Sequence, residues 1–480
     1  MRIVLVHPTG SNWISGSQDL SATANRMAPL GLLSMSSYLK QKGHQIHIHD
    51  CLGPKPLAGL AENVKKVLGY KPEMVGFSTT TSSFLDGVDM ANLIKSSDAN
   101  IKIVFGGVHV SALGASLLEK FGNIDYLCCG EGEGVLSDLA DRKEDASIDG
   151  LIWRDGERIV TNPPRTPIAD LDKMPFPDYE ALDGFPGGYN LPLFSFVNIP
   201  GATLSTSRGC PYQCSFCDRS VFKRTFRYNS AEYIYEHMKH LREKFGVRHI
   251  NIYDDLFTLN RPRISELCRL LTEKPLGLHF NCAVRVGYAD DDLLKMLKNA
   301  GCLMVSLGIE SADPEMLKRH KAGVGIEEVR ETVARIKACG LRAKGLFMMG
   351  LPGETEMSIR KTSDFILSLG LDDMNMSKFT PFPGAPIWSE LPEEGCFQED
   401  WRLMNCLNFV FVPKTMASKE ALDYWYNWHV KRFYSEPVWR RKFAGRLWQH
   451  RWSLFHILRN LPTFLAAKKQ FEPDLINKPD

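Results

Sequence analysis

Three thiols, Cys210, Cys214 and Cys217, stand in a C-x3-C-x2-C spacing on one short stretch of chain. Soft thiolates at that spacing favour an iron–sulfur cluster or zinc. A closed structural site of either kind takes four ligands, and the next cysteine downstream, Cys268, lies well outside the stretch. Three ligands on one loop would leave one iron of a four-iron cluster open to an exogenous ligand. A zinc knuckle and a chance grouping of cysteines are the competing readings. The nine other cysteines sit mostly in apolar contexts and read as buried structural thiols.

The elements around the loop have the alternation of a barrel. An extended run, 202–207, enters it through Arg208-Gly209. Helix 230–245 follows, capped by Ser230. Strand 248–253 ends at Asp254-Asp255, strand 278–283 near Arg285, and strand 303–307 at Gly308-Ile-Glu310-Ser311. Strand 342–349 ends in Gly350-Leu-Pro352-Gly-Glu354, and 374–380 is the last strand. With helices between them these make six strand–helix units. Small and polar residues gather at the carboxyl ends, where barrel enzymes place their sites.

Upstream, 3–6, 45–50, 74–78, 102–105 and 126–129 read as short buried strands separated by helices. That alternation predicts a doubly wound parallel sheet, whose ligands bind beyond the strand ends. The ends here are Ser78, Thr79, Gly106, Gly107 and Gly130, small enough for a flat ligand to approach the backbone. A hairpin turning at Asp155-Gly156 and a proline-rich connection, Pro163 to Pro177, lead to the second domain.

The aromatic before the last thiol, Phe216, completes a pattern that resembles the signature of the radical S-adenosylmethionine (SAM) enzymes. The resemblance covers roughly residues 196–390 and implies a [4Fe–4S] cluster on Cys210, Cys214 and Cys217 with SAM on the open iron. It further implies that Phe216 packs near the adenine and that Asp254 and Asp255 help hold SAM. Arg285 would meet the SAM carboxylate, Gly308, Glu310 and Ser311 the ribose, and Gly350 and Pro352 the adenine. Taken singly, Asp254, Asp255, Arg285 and Glu310 also suit a barrel-mouth salt bridge or a helix cap.

The first domain resembles the cobalamin-binding domain that precedes many radical SAM domains. The likeness is carried by 76–79, 105–109 and 125–133, and implies Ser78, Thr79, Gly106, Gly107, His109, Gly130 and Glu131 as cobalamin contacts. The D-x-H-x-x-G motif of histidine-ligated cobalamin proteins is missing after the first strand, so no histidine is assigned to cobalt. A flavodoxin-like sheet without a cofactor is the plain alternative.

The expected architecture is α/β. A doubly wound, cobalamin-binding-like sheet (1–145) is followed by a hairpin and proline-rich linker (146–195), a partial (β/α)6 radical SAM barrel (196–395) and a C-terminal helical region (396–480). That last region interleaves Trp425, Trp428, Trp439, Trp448 and Trp452 with Lys431, Arg432, Arg440, Arg441, Lys442, Arg446, Arg451 and Arg459. Such a pattern suits a peripheral membrane contact, a cover over a lipid-like substrate, or a helical cap packed on the barrel.

A net charge of +2 over 480 residues implies no field for nucleic acid, and no nucleic-acid motif is present. No run of about 20 apolar residues suggests a membrane span. Twelve cysteines without a disulfide framework point to a reducing compartment, and the apolar start at Met1 to a cytoplasmic chain without a signal peptide. The family likeness implies that SAM is cleaved to a 5'-deoxyadenosyl radical, which takes hydrogen from an unactivated carbon of a hydrophobic or polycyclic substrate. Cobalamin then carries a methyl group to that carbon, and a reduced flavodoxin or ferredoxin supplies electrons. A cyclase or rearrangement on a tetrapyrrole or lipid is one alternative, and a non-catalytic cobalamin or iron–sulfur sensor is another.

Overall fold

The computed structural model describes residues 1–10, 26–57, 59–189, 195–321, 323–437, 439, 445, 451, 454, 455 and 458. The amino-terminal part alternates β1 (Arg2–His7), α1 (Leu30–Gln41), β2 (Gln45–Asp50), α2 (Leu60–Gly69), β3 (Met74–Ser78), α3 (Phe84–Ser97) and β4 (Lys102–Gly106). It continues with α4 (Val108–Leu113), α5 (Ser116–Lys120), β5 (Tyr126–Cys128) and α6 (Gly132–Ala140). Val4, Val6, Val75, Ile103, Phe105 and Leu127 are buried, as strands covered on both faces require. Gly114, whose φ is 57°, ends α4 before α5 begins.

The hairpin β6 (Leu151–Asp155) and β7 (Arg158–Thr161) departs from the expected bridge between domains. It extends the first sheet, giving the order β2-β1-β3-β4-β5-β6-β7. The strands from β2 to β5 are parallel, while β6 and β7 run antiparallel. Order reverses between β1 and β3, which places the ligand crevice beyond their carboxyl ends. The proline-rich segment is packed rather than free. Lys40 pairs with Asp178 at 2.6 Å, Tyr189 donates to Asp50 at 3.0 Å, and Tyr179 is buried.

The second sheet is wholly parallel and strictly sequential. It comprises β8 (Gly201–Leu204), β11 (His249–Ile252), β12 (His279–Val284), β13 (Cys302–Glu310), β14 (Arg342–Met349) and β15 (Asp373–Lys378). Helices α7 (Ala231–Phe245), α8 (Arg261–Glu273), α9 (Asp291–Asn299), α11 (Ile326–Ala338) and α12 (Glu356–Leu369) cover it, with a further helix α10 (Pro314–His320) after β13. Ser230, Asn260, Asp290 and Thr355 each cap a helix through the side-chain oxygen, worth about 1 kcal/mol apiece. This is the expected partial (β/α)6 barrel.

Beyond it lie α13 (Leu391–Glu394), a small hairpin of β16 (Gly395–Phe397) and β17 (Phe411–Pro413), and α14 (Lys419–Ser435). Helix α14 closes the open edge of the barrel: Tyr426 donates to the Met376 carbonyl at 3.1 Å, Tyr434 to the Met374 carbonyl, and Trp425 is buried. Of the basic-aromatic pattern, Trp448, Trp452, Arg440, Arg441, Lys442, Arg446 and Arg459 lie outside the described residues. Among the described residues no helix is long and apolar enough to cross a membrane.

Candidate functional site

The cysteine loop is an excursion between two short strands, β9 (Ser207–Arg208) and β10 (Arg227–Tyr228), which pair antiparallel. It leaves β9 at Gly209, where φ is 89° and a Cβ would stand 2.3 Å from the Thr225 carbonyl oxygen. Only glycine fits that turn. The loop is held from outside by Ser215. Its N–H donates to the His320 carbonyl at 3.0 Å, and its carbonyl accepts from Ile387 at 3.0 Å. His320 Nε2 lies 2.8 Å from the Pro352 carbonyl, which can only accept, so Nδ1 takes the Ser215 hydroxyl proton at 2.8 Å. Asp218 accepts from Gly384 at 3.2 Å, and Arg219 donates to the Tyr212 carbonyl at 2.6 Å.

Cys210, Cys214 and Cys217 face a cavity of about 940 Å³ at the mouth of the barrel. The Cys214 thiol is drawn down to about 6, first by its hydrogen bond with Cys217, with burial opposing and Lys321 and Arg285 assisting. The same bond pushes Cys217 up. Among the described residues no three His, Cys, Asp or Glu side chains gather closely enough for a single metal ion. The thiols stand around a cavity instead, a donor set that suits a polynuclear iron–sulfur cluster.

The strand ends contribute unequally. Phe216, Asp255, Arg285, Gly308 and Glu310 line the cavity. Arg285 stacks on Tyr212 with 3.7 Å to the ring centroid. Glu310 accepts from Lys321 Nζ at 2.8 Å and sits at φ 68°, on a bulge where β13 shifts register against β14. Asp254 borders the cavity, but its carboxylate is committed elsewhere: it accepts from the Thr206 N–H and hydroxyl and lies 3.9 Å from Arg263. Ser311 is turned behind the wall, hydroxyl to Thr362 at 3.3 Å. Gly350 donates to Glu354, and Pro352 is engaged through its carbonyl by His320. Neither lines the cavity. Deeper in, Asn251, Asn281, Ser306, Lys344 and Asn375 give the barrel lumen a polar floor.

Glu354 stays behind that wall, 2 % exposed, and burial pushes its carboxyl up to about 8. Its folded pKa exceeds the unfolded one, so its stabilising share is complete below the unfolded pKa and lost as pH rises through about 8. Glu354→Gln keeps the acceptor for Gly350 and never ionises. The stability of this variant relative to wild type is expected to climb between about pH 5 and pH 8, by at most about 1.4 kcal/mol per pH unit, with its Tm rising in step. A constant difference across thermal melts would show that Glu354 ionises freely.

A second cavity, about 280 Å³, lies at the carboxyl ends of the first sheet. Ser78, Gly106, Gly107, Gly130 and Glu131 line it, with Gly76 and Gly132 deeper. Two expected contacts are absent from its wall. Thr79 is buried, donating to the Gly106 carbonyl at 3.2 Å. His109 is fully buried among Phe84 and Trp401, Nδ1 on the Thr81 hydroxyl, and burial lowers it to about 4. The histidine on this cavity is His237 from α7, stacked on Phe176 at 4.6 Å and pushed down to about 3 by burial. Its Nε2 is buried with no hydrogen-bond partner among the described residues. Nothing in the sequence of α7 marks this position, and Phe176 of the linker covers it. A glycine floor with buried, unpaired polar atoms of Ser207 and His237 in the wall suits the close approach of a flat organic cofactor. Val221 and Phe222 of the cysteine loop line both cavities.

Residues 19–140 match the B12 binding domain family and residues 204–366 the Radical SAM superfamily. The chain is 28% identical over 427 residues to an uncharacterized methyltransferase of Pyrococcus horikoshii, covering 88% of this chain and 90% of that one. It is 27% identical to the anaerobic magnesium-protoporphyrin IX monomethyl ester cyclase of Rubrivivax gelatinosus, covering 88% and 76%. Its fold is similar to that of the cobalamin-dependent SAM radical enzyme OxsB, with TM-score 0.70, 18% identity and coverage of 98% and 74%. It is also similar to the methyltransferase TsrM from Kitasatospora setae, with TM-score 0.66, 18% identity and coverage of 91% and 89%. The chain thus carries a B12-binding domain followed by a radical SAM domain. It is a radical SAM enzyme whose cofactors are a [4Fe–4S] cluster, SAM and cobalamin.

Proposed function

We propose that this radical SAM enzyme methylates an unactivated carbon of a small organic substrate. The cluster would sit on Cys210, Cys214 and Cys217, SAM against Phe216, Asp255, Arg285 and Glu310, and cobalamin over the glycine-lined cavity of the first sheet. When bound, cluster and SAM supply a hydrogen-abstracting radical, and cobalamin supplies a methyl carrier. The observation that carries the reading is the shared wall: Val221 and Phe222 border both cavities, so one substrate carbon at the barrel mouth is within reach of both chemistries. The chain's own part is to orient and to exclude water. The loop, pinned at Ser215, holds the thiols over the strand ends, and Arg285, fixed on Tyr212, presents a guanidinium suited to a carboxylate. The names of relatives favour methylation, including cytidylyl-2-hydroxyethylphosphonate methyltransferase of Streptomyces wedmorensis.

Tyr426 and Tyr434 of α14 pack on the barrel's edge strand. A reduced flavodoxin or ferredoxin is the proposed electron source. Anaerobic reconstitution with iron, sulfide, SAM and cobalamin tests the reading. A substrate gaining one methyl group, with 5'-deoxyadenosine and S-adenosylhomocysteine formed alongside, is expected. The cyclase relatives give a second reading, oxidative ring closure. Loss of hydrogen without gain of a methyl group would select it and overturn methylation.

A further inference from the structure

The base of the cysteine loop is locked to the first domain through two carboxylates, Glu131 and Glu133, and Glu131 alone reaches both of its ends. Arg208 and Arg227 stand directly opposite each other in the β9–β10 pair, at the two ends of the 209–226 excursion. Both reach Glu131. Arg208 NH1 donates to Oε1 at 2.8 Å, Arg227 NH1 to Oε2 at 3.0 Å, and Arg227 NH2 lies 3.0 Å from Oε1. Arg208 NH2 continues to Glu133 at 2.6 Å, and Glu133 accepts from Ser34 of α1 at 3.0 Å. Glu131 also accepts from the Ile168 N–H at 2.8 Å, and the Ile168 carbonyl takes Arg227 NH1 at 2.6 Å. The Glu131 side chain is 7% exposed.

Two guanidiniums facing across a two-residue ladder repel unless an anion lies between them, and here the anion comes from the first domain. Its position is set by β5, whose end leads through Gly130 into α6, on the rim of the glycine-lined cavity. Planar arginine forks fix direction as well as distance. The quartet of two arginines and two glutamates is neutral, so it holds together without a further counterion.

Resting on the cluster and cobalamin reading above, we propose that Glu131 is a positioning residue: it clamps both ends of the cluster loop to the first domain and thereby sets the spacing between cluster and cobalamin. This is a different role from the cobalamin contact expected of Glu131, which lines the same cavity. Spacing matters because one carbon must be served from both sides, and small misplacements of reacting groups cost rate steeply.

The test uses the full chain reconstituted anaerobically with iron, sulfide and hydroxocobalamin, reduced so that cluster and cob(II)alamin are both paramagnetic. Pulsed electron paramagnetic resonance then reads the distance between the two spins. Wild type is expected to give one narrow distribution. Glu131→Gln should broaden it and lengthen its mean with iron content retained, the distance being read in the cobalamin-bound fraction because Glu131 also lines that cavity. Glu131→Asp, which keeps the charge, should restore most of the narrow component and shows that folding is not the cause. Identical distributions in wild type and Glu131→Gln overturn the clamp. So does a loss of cobalamin affinity beyond about tenfold at unchanged spacing in the bound fraction, the sign of a direct contact. Failure of wild type to bind cluster or cobalamin would instead defeat the underlying reading, whatever the variants do.

Discussion

Cys214→Ala is expected to leave a folded chain that assembles no stable four-iron cluster and cleaves SAM at least about 10³-fold more slowly, roughly 4 kcal/mol of transition-state free energy. Two thiols remain in that variant, too few to hold a cluster that already lacks a fourth protein ligand. Thiolate is the form that binds metal, and Lys321 and Arg285 near Cys214 favour it. The loop itself should survive, since the contacts that anchor it to the rest of the chain do not run through the Cys214 side chain. Ser215 remains on His320, Asp218 on Gly384, and Gly209 in its turn. Iron and sulfide per chain, the visible absorption of the cluster, and 5'-deoxyadenosine yield are the measurements, with the apo Tm as control. The same exchange at Cys268, buried on α8, should spare iron loading and lower Tm instead. Continued SAM cleavage by Cys214→Ala would remove this loop from the chemistry.

The thiol loop was readable because its chemistry is local: three soft ligands within one turn of chain need no knowledge of distant partners. The strands were readable for a similar reason, since short apolar runs between helices have few alternative uses. Strand β14 falls on 342–349 as expected from its apolar run and closing glycine. What escaped depends on contacts between remote segments. The 151–161 hairpin was recognisable as a hairpin, but nothing local says that β6 will pair with β5. Helix α10 is seven residues long, and its signal is confined to Asp313 as cap and Pro314 as first residue.

The family likeness places the strand-end residues by their position along the chain, and position does not tell which face a carboxylate will take. Asp254 and Asp255 are neighbours, yet one is consumed by Thr206 and the other faces the cavity. His109, expected as a cobalamin contact, is covered by Trp401, nearly three hundred residues later. Lys321 and His320, which fix Glu310 and the cysteine loop, carried no motif. The basic, polar end of a short helix was their only mark.

Gly106→Leu is expected to raise the Kd for cobalamin by about 10²-fold, roughly 2.7 kcal/mol, while iron loading and SAM cleavage persist. Gly106 ends β4 and lines the cavity of about 280 Å³ at the first sheet, and it does not line the cavity of the thiols. A Cβ added there would meet the Cys128 Cβ and carbonyl oxygen at 3.6 Å, an ordinary contact, so the backbone tolerates a side chain. The rest of a leucine must then occupy space that the cofactor would need. Its neighbour behaves differently. Gly107 has φ 107°, and a Cβ would come within 2.3 Å of the Thr79 carbonyl oxygen. Gly107→Ala should therefore damage the fold of the first domain rather than fill the cavity. Comparing the pair separates occupancy from folding. Equilibrium titration with hydroxocobalamin, followed by absorbance, gives the affinities, and thermal melts give the stabilities. Unchanged cobalamin affinity in a well-folded Gly106→Leu would place the corrinoid away from this cavity. Loss of SAM cleavage in the same variant would mean that the two cavities are coupled more tightly than their shared wall of Val221 and Phe222 requires.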